Sequence, residues 1–225
     1  MAPEFPYPTP VDDCYRVTKH VMDNSDKFNM IESRIIVSGD SAGGNAAIVI
    51  SQRMANEKRA VQPFIQVLVY PWVQLVNLNT PSSQLYTRNV LLSHARIGFS
   101  KYVRWYAGLN HTGEIGNKLD IAIKKHQLNT IACRESKQNV SEIFQDIKSI
   151  KSDFINDKER NTYDAYDFRC DENEQLDVIL EKREMYEKLK KLVDPDISPL
   201  FADKALLAQL PKTYVSICEW DTLKD

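Results

Sequence analysis

The fold class is decided by residues 34–47, which read RIIVSGDSAGGNAA. A short apolar run rich in β-branched residues, Ile35 to Val37, leads into a tight turn and then into an alanine-rich segment that favours a helix. The stretch therefore predicts a strand, a turn and a helix, with Ser41 at the bend.

The turn carries the pattern G-x-S-x-G, in which Gly39 and Gly43 flank Ser41 and Gly44 follows. We expect both flanking glycines to be required, because strand and helix approach closely at such a bend. The bend would raise the Ser41 hydroxyl at the top of a sheet and leave the Ala42 N–H free to donate to an oxyanion. Ordinary turns also produce these letters, but the strand before and the helix after favour a nucleophile elbow.

Phosphate-binding loops do not fit this stretch. A Walker loop needs Lys followed by Ser or Thr after its last glycine, and Asn45-Ala46 stands there instead. The pattern G-x-G-x-x-G of dinucleotide-binding folds is absent.

Length, charge and cysteines narrow the class further. The 225 residues suffice for one α/β domain, and a net charge of −2 gives no basic field for nucleic acid. No signal peptide or membrane-length apolar run is present in the sequence. No spacing typical of zinc or of a disulfide scaffold occurs among Cys14, Cys133, Cys170 and Cys218. We therefore expect no metal and no cofactor.

Two further strands are predicted. Residues 64–70 form a nearly continuous apolar run that Pro71 stops, and residues 213–218 form a third short run. Two apolar strands joined by a helix form a βαβ unit with a parallel sheet. The sequence thus predicts the α/β class.

A helix is predicted after the proline-rich entry at residues 2–10. Thr9 would be its N-cap and Pro10 its first residue, and the pattern ends at residues 24–26. Its apolar positions at helical spacing are Cys14, Val17 and Val21.

Residues 72–193 are polar and amphipathic, so we interpret them as a helical, cap-like or lid-like insertion in one domain spanning residues 1–225. One helix would begin at Ser93 and end near Gly108, and another would span residues 176–193. The first carries an aromatic stripe that is typical of core packing and also suits an acyl pocket. The stripe consists of Phe99, Tyr102, Val103, Tyr106 and Trp105.

A carboxylate follows the third strand at Asp221, at the edge where parallel sheets keep their active sites. With residues 1–8, 39–44, 197–203 and 213–225, the chain resembles the α/β-hydrolase family that includes hormone-sensitive lipase. It is most similar to the carboxylesterases of the arylacetamide deacetylase type. The resemblance covers essentially the whole chain.

The resemblance implies a serine esterase, deacetylase or lipase acting on a small-molecule ester or amide. Ser41 would be the nucleophile and Asp221 the acid of the triad. Gly39, Ala42, Gly43 and Gly44 would form the elbow and oxyanion site. It also implies residence at the endoplasmic reticulum, although residues 1–225 contain no anchor. Oligomeric state is not indicated.

Two parts of the family pattern are missing. No His-Gly-Gly oxyanion loop occurs, and no histidine follows Asp221, although the triad order is Ser, Asp, His. We reject as bases the histidines that precede the acid, namely His20, His94, His111 and His126. We therefore expect a partial fold, without the N-terminal strands and the C-terminal strand and helix, and weak or no activity. The alternative is a non-catalytic pseudoenzyme that binds a ligand or a partner.

Overall fold

The computed structural model describes residues 2–76, 82, 101–109, 190–221 and 224. Its main elements, in chain order, are α1 (Thr9–Asp23), β1 (Ile36–Asp40), α2 (Ala42–Asn56), β2 (Ile65–Val69) and β3 (Lys212–Ser216). Short 3₁₀ turns lie at Ser25–Phe28, Glu32–Arg34, Lys190–Val193 and Pro199–Phe201, and a four-residue helix spans Lys204–Leu207.

The three strands form one parallel sheet in the order β1-β2-β3. Asp40 pairs with Val69 and Val69 pairs with Ser216, so all three strands end at the same carboxyl edge. The predicted strands, the helix after the bend and the α/β class are confirmed.

Helix α2 lies on one face of the sheet and forms the core with it. Val37 of β1 and Leu68 of β2 are buried against it, and Ile48 and Met54 of α2 are buried in the same cluster. Met22 of α1, a helix that packs against α2, belongs to the same cluster. The apolar residues of α2 therefore hold this helix against the sheet, which fixes the position of the bend between β1 and α2.

Helix α1 forms as predicted, but two details were wrong. Its N-cap is Pro8, because the Asp12 N–H donates to the Pro8 carbonyl and the helix therefore starts one residue early. A proline side chain has no hydrogen-bonding group, so no side-chain cap bond forms. The predicted apolar face is also wrong, since Cys14 and Val17 are exposed. The fully buried residues of α1 are Val11 and Met22.

The opposite face of the sheet carries exposed apolar side chains. Ile36 is 51% exposed and Tyr214 is 63% exposed. On β3 the face towards α2 is also open, since Val215, in register with the buried Leu68, is 57% exposed. Parallel sheets ordinarily bury both faces. The strands therefore have the apolar composition of a sheet covered on both sides, although the described residues cover mainly one side.

The insertion predicted at residues 72–193 lies mostly outside the described residues, and its role as a cap stays a prediction. Residues 101–106 are helical and the helix ends before Gly108, which has φ of 70°, as expected. Of the aromatic stripe, Val103 is buried and the Tyr106 ring lies 6.2 Å from that of Tyr7, whereas Tyr102 is 52% exposed.

The second predicted helix, at residues 176–193, is described only from residue 190 onward, where it is a 3₁₀ turn. Phe99 and Ser93 of the first helix also lie outside the described residues.

We expect the protein to lose stability in alkali through Tyr106. Burial raises the pKa of Tyr106 to about 12, with a further contribution from the charge of Asp196. A folded-state pKa above the unfolded value of about 10 favours the neutral phenol, so this stabilisation is complete below pH 10 and is lost as the pH rises towards 12. Urea unfolding at several pH values should show Tyr106→Phe with a shallower alkaline decline than the wild type. Tyr102→Phe, which removes an exposed phenol, should keep the wild-type slope, and a Tyr106→Phe slope equal to the wild type would contradict the assignment.

Candidate active site

Ser41 lies at a strained bend between β1 and α2. Its φ is 51° and its ψ is −114°, a conformation that L residues rarely adopt and that costs about 1–3 kcal/mol. Its N–H donates to the Val69 carbonyl at 2.9 Å, and its carbonyl accepts from the N–H groups of Asn45 and Trp72, both at 3.1 Å. Neighbouring main chain thus holds the bend on both sides.

The glycines of the bend differ in what they require. A Cβ built on Gly39 would lie 2.2 Å from the main chain of Gly43, and one built on Gly44 would lie 2.8 Å from the Pro71 Cβ. A Cβ on Gly43 would meet only the Asp40 carboxylate, at 3.9 Å. The expectation that the fold itself excludes a side chain at Gly43 is therefore wrong, and the close approach falls on Gly39 and Gly44.

Ala42 is the first residue of α2 and is exposed. Its N–H has no carbonyl four residues earlier within the helix, because the first turn of any helix leaves its N–H groups without intrahelical partners. The helix N-terminus also carries partial positive charge. An anion formed beside Ser41 would therefore meet favourable electrostatics at this end of α2.

Asp221 follows the carboxyl end of β3 and is partly buried. β2 lies between β1 and β3, so the strands that lead to Ser41 and Asp221 are about 10 Å apart. The segments that carry these two residues therefore leave the sheet at the same edge, and the pairing of Ser41 with Asp221 stays a prediction.

Sequence reasoning missed a polar face of α2. Asn45 and Gln52 are buried, and their side-chain amides donate to the carbonyls of Ile197 and Pro199 at 2.9 Å. Arg53, next along the helix, donates to Asp196. The signal was available, because amide side chains within an apolar helix need partners.

Both ends of the segment that starts at residue 72 meet beside this helix. The Leu200 N–H donates to the Val73 carbonyl at 3.0 Å, and the Leu75 N–H donates to the Ser198 hydroxyl at 2.9 Å. The Ser198 hydroxyl in turn donates to the Leu192 carbonyl at 2.6 Å. The outgoing and returning chain are thus joined one residue beyond Trp72, whose N–H donates to the Ser41 carbonyl.

His20 is the one histidine among the described residues. It is exposed on α1, where its ring lies 3.4 Å from the Asn24 amide and 6.1 Å from the Phe28 ring. The other histidines, His94, His111 and His126, lie outside the described residues.

Within the described ranges no group of three or more side chains could hold a metal ion, and no helix is long and apolar enough to cross a membrane. The described cysteines, Cys14 and Cys218, are free and exposed.

A parallel sheet with a strained serine between a strand and a helix is the architecture of an α/β hydrolase. The family model described as alpha/beta hydrolase fold matches residues 1–114, and the chain belongs to that family.

Two curated relatives are similar to the whole of this chain. The chain is 26% identical over 226 residues to arylacetamide deacetylase-like 3 of Mus musculus, covering all of this chain and 48% of the relative. It is 26% identical over 232 residues to neutral cholesterol ester hydrolase 1 of Rattus norvegicus, covering all of this chain and 50% of the relative.

Among solved structures, a hyperthermophilic esterase from Pyrobaculum calidifontis superposes with a TM-score of 0.55 at 22% identity. That match covers all of this chain and 47% of the esterase, and at this identity it supports the fold alone. The chain spans about half the length of the curated relatives it matches.

Proposed function

We propose that this chain is part of a carboxylic-ester hydrolase in which Ser41 is the nucleophile and Asp221 the acid of the triad. The observation that carries the proposal is the strained conformation of Ser41 at the N-terminus of α2. Strain of this kind is retained at sites where it orients a reacting group. The family membership supports the same reaction class.

The proposed chemistry assigns a role to each of these groups. The Ser41 hydroxyl attacks the ester carbonyl, and the negative charge that develops on the carbonyl oxygen is stabilised by the Ala42 N–H at the helix N-terminus. An imidazole takes the serine proton and passes it to the leaving alcohol, while Asp221 fixes the tautomer of that imidazole. The same imidazole then takes a proton from water, the hydroxide attacks the acyl-serine carbonyl, and the imidazole returns the proton to the Ser41 oxygen as the carboxylic acid leaves.

The imidazole is the part that residues 1–225 do not supply in the order Ser, Asp, His. We propose that the histidine, and further oxyanion donors, come from polypeptide outside these residues in the complete enzyme. The half-length coverage of the relatives motivates this proposal. Residues 1–225 alone would then have weak activity or none.

The names of the relatives support a substrate class. Their names specify a deacetylase-like protein and a cholesterol ester hydrolase, so we propose small-molecule esters or amides of carboxylic acids as substrates. Residues 72–193 would form the cap over the acyl group.

The test is hydrolysis of a short-acyl p-nitrophenyl ester by the complete gene product and by residues 1–225. We expect the complete protein to turn over this ester and Ser41→Ala to lower turnover by a factor on the order of 10⁶, because the nucleophile and its base act as a unit. Ser38→Ala, which removes an exposed hydroxyl three residues earlier on β1, is the matched control. Unchanged turnover in Ser41→Ala would refute the assigned nucleophile.

A second candidate function is a non-catalytic fold that binds a ligand or partner. The observation in its favour is that His20, the histidine within the described ranges, lies on α1 and contacts Asn24 and Phe28, which follow that helix. A fluorophosphonate probe separates the two candidates, because it reacts with activated serines. Strong labelling of the Ser41 peptide would exclude the non-catalytic candidate, and no labelling of the complete protein would favour it.

A further inference from the structure

The bend at Ser41 is matched by a second turn, at Tyr70 to Trp72, that follows β2. Tyr70 also has positive φ, at 36°, and its N–H donates to the Ser216 carbonyl at 2.6 Å. Pro71 packs where Gly44 has no Cβ, and the Trp72 N–H donates to the Ser41 carbonyl. The conformation of Ser41 therefore depends on where this second turn lies.

Asn45 holds the second turn in place. Its side-chain nitrogen donates to the Trp72 carbonyl at 2.7 Å and to the Ile197 carbonyl at 2.9 Å, so both amide hydrogens are used. Its own main-chain N–H donates to the Ser41 carbonyl at 3.1 Å. Trp72 is thus bound through its N–H to Ser41 and through its carbonyl to Asn45.

The burial of Asn45 makes these bonds strong determinants of local structure. The residue is only 4% exposed, so water cannot replace a lost donor without rearrangement. Of the two carbonyls that Asn45 serves, that of Ile197 is buried, and a buried carbonyl left without a partner costs about 1–3 kcal/mol, which is comparable to the strain held at Ser41.

We propose that Asn45 is a positioning residue for Ser41: by fixing Trp72 and the returning chain at Ile197, it keeps the serine main chain in its strained conformation. This inference rests on the proposed function, in that Ser41 is taken to be the nucleophile. Without Asn45, Ser41 relaxes towards an ordinary conformation and its hydroxyl moves away from the carbonyl it attacks. A displacement of about 1 Å is enough to lower a rate about a hundredfold.

Gln52 provides the matched control. It lies on the same face of α2, is 2% exposed and donates to the Pro199 carbonyl, but its bond is to the returning chain, not to Trp72 or Ser41. If Asn45 acted only by packing the helix against the returning chain, Gln52→Ala and Asn45→Ala would have the same effects.

The experiment measures amide hydrogen exchange by NMR in the chain of 225 residues, which requires no enzymatic activity. In Asn45→Ala we expect the Ser41 and Trp72 amides to exchange at least about tenfold faster, with the amide of Val67 in β2 changed by less than about twofold. In Gln52→Ala the Ser41 and Trp72 amides should stay within about twofold of the wild type. Asn45→Leu, which removes both donors but fills the space, should repeat the effect if Asn45→Ala does not fold.

A kinetic measurement on the complete enzyme adds a readout that general destabilisation does not move. With p-nitrophenyl acetate, kcat of Asn45→Ala should fall tenfold to a hundredfold while KM stays within about twofold, because a misplaced nucleophile impairs the chemical step rather than binding. Gln52→Ala should keep the wild-type kcat.

Unchanged exchange at Ser41 and Trp72 in both Asn45 variants would overturn the proposal, and so would an equal acceleration in Gln52→Ala. Equal acceleration of the Val67 amide would also overturn it, because Asn45 would then only stabilise the whole fold. If the complete wild-type protein hydrolysed no ester, the proposed function would fail, whereas the exchange rates would still decide whether Asn45 holds the bend.

Discussion

Gly39→Ala is expected to destabilise the protein by about 4 kcal/mol or more, because the added methyl group would lie 2.2 Å from the main-chain carbon and oxygen of Gly43. The obstacle is backbone and not a flexible side chain, so relief requires β1 and α2 to separate. That separation would open the core between Val37 and Ile48. Since domains are stable by about 5–15 kcal/mol in total, a large fraction of the molecules should be unfolded at low urea concentration. Urea titration followed by circular dichroism measures the change.

Gly43→Ala is the matched control for this prediction. A methyl group there meets only the Asp40 carboxylate, at an ordinary contact distance of 3.9 Å. Because alanine favours a helix over glycine by about 1 kcal/mol, we expect the stability to stay constant or to rise by up to that amount. Equal urea midpoints for Gly39→Ala and the wild type would show that the close approach of β1 and α2 does not hold in solution.

Arg53→Met is expected to lower the free energy of unfolding by about 2–3 kcal/mol. Arg53 joins α1, α2 and the returning chain: it donates to Asp12 at 2.7 Å and to Asp196 at 2.7 and 3.0 Å. Its side chain is only 20% exposed. Burial opposes its charge, but the carboxylates of Asp196 and Asp12 outweigh this effect and raise its pKa further. Removing the cation would leave two partly buried carboxylates side by side without their partner.

The control for Arg53 is Arg16, whose ion pair with Asp13 is 73% and 60% exposed on the two sides. Arg16→Met should change stability by less than about 0.5 kcal/mol, because exposed ion pairs contribute little. Arg53→Lys should recover only part of the loss, since an ammonium group cannot reproduce the fork that reaches both carboxylates. Equal free energies of unfolding for Arg53→Met and Arg16→Met in urea titrations would contradict the bridging role of Arg53.

The local pattern around Ser41 was sufficient to predict the part of the fold that depends on neighbouring residues. Ile35 to Val37, the bend and the alanine-rich helix are consecutive, and β2 and β3 are short apolar runs with clear ends. The sequence pattern did not predict features that depend on contact with a distant segment. The buried face of α1 depends on how it packs against α2, so Val17 looked like a core residue although it is 63% exposed.

In the candidate site, too, local features could be predicted from the sequence and long-range contacts could not. Ser41 and its strained bend follow from a five-residue pattern, whereas the close contact of Gly44 depends on Pro71, which is brought in by the next strand. The partners of Asn45, at Trp72 and Ile197, lie 27 and 152 residues away in the chain. No periodicity or spacing in a single sequence encodes such pairings, and only an amide in an apolar helix hinted at them.

The hydrogen bonds that join residues 73–75 to residues 198–200 have a consequence for the segment between them. They join the two ends of the intervening segment next to the described sheet and the bend at Ser41. Lengthening a closed loop adds only about 0.6 kcal/mol for each doubling of its length. Segments of different length inserted between residues 75 and 198 would therefore leave the sheet and the bend at Ser41 in place.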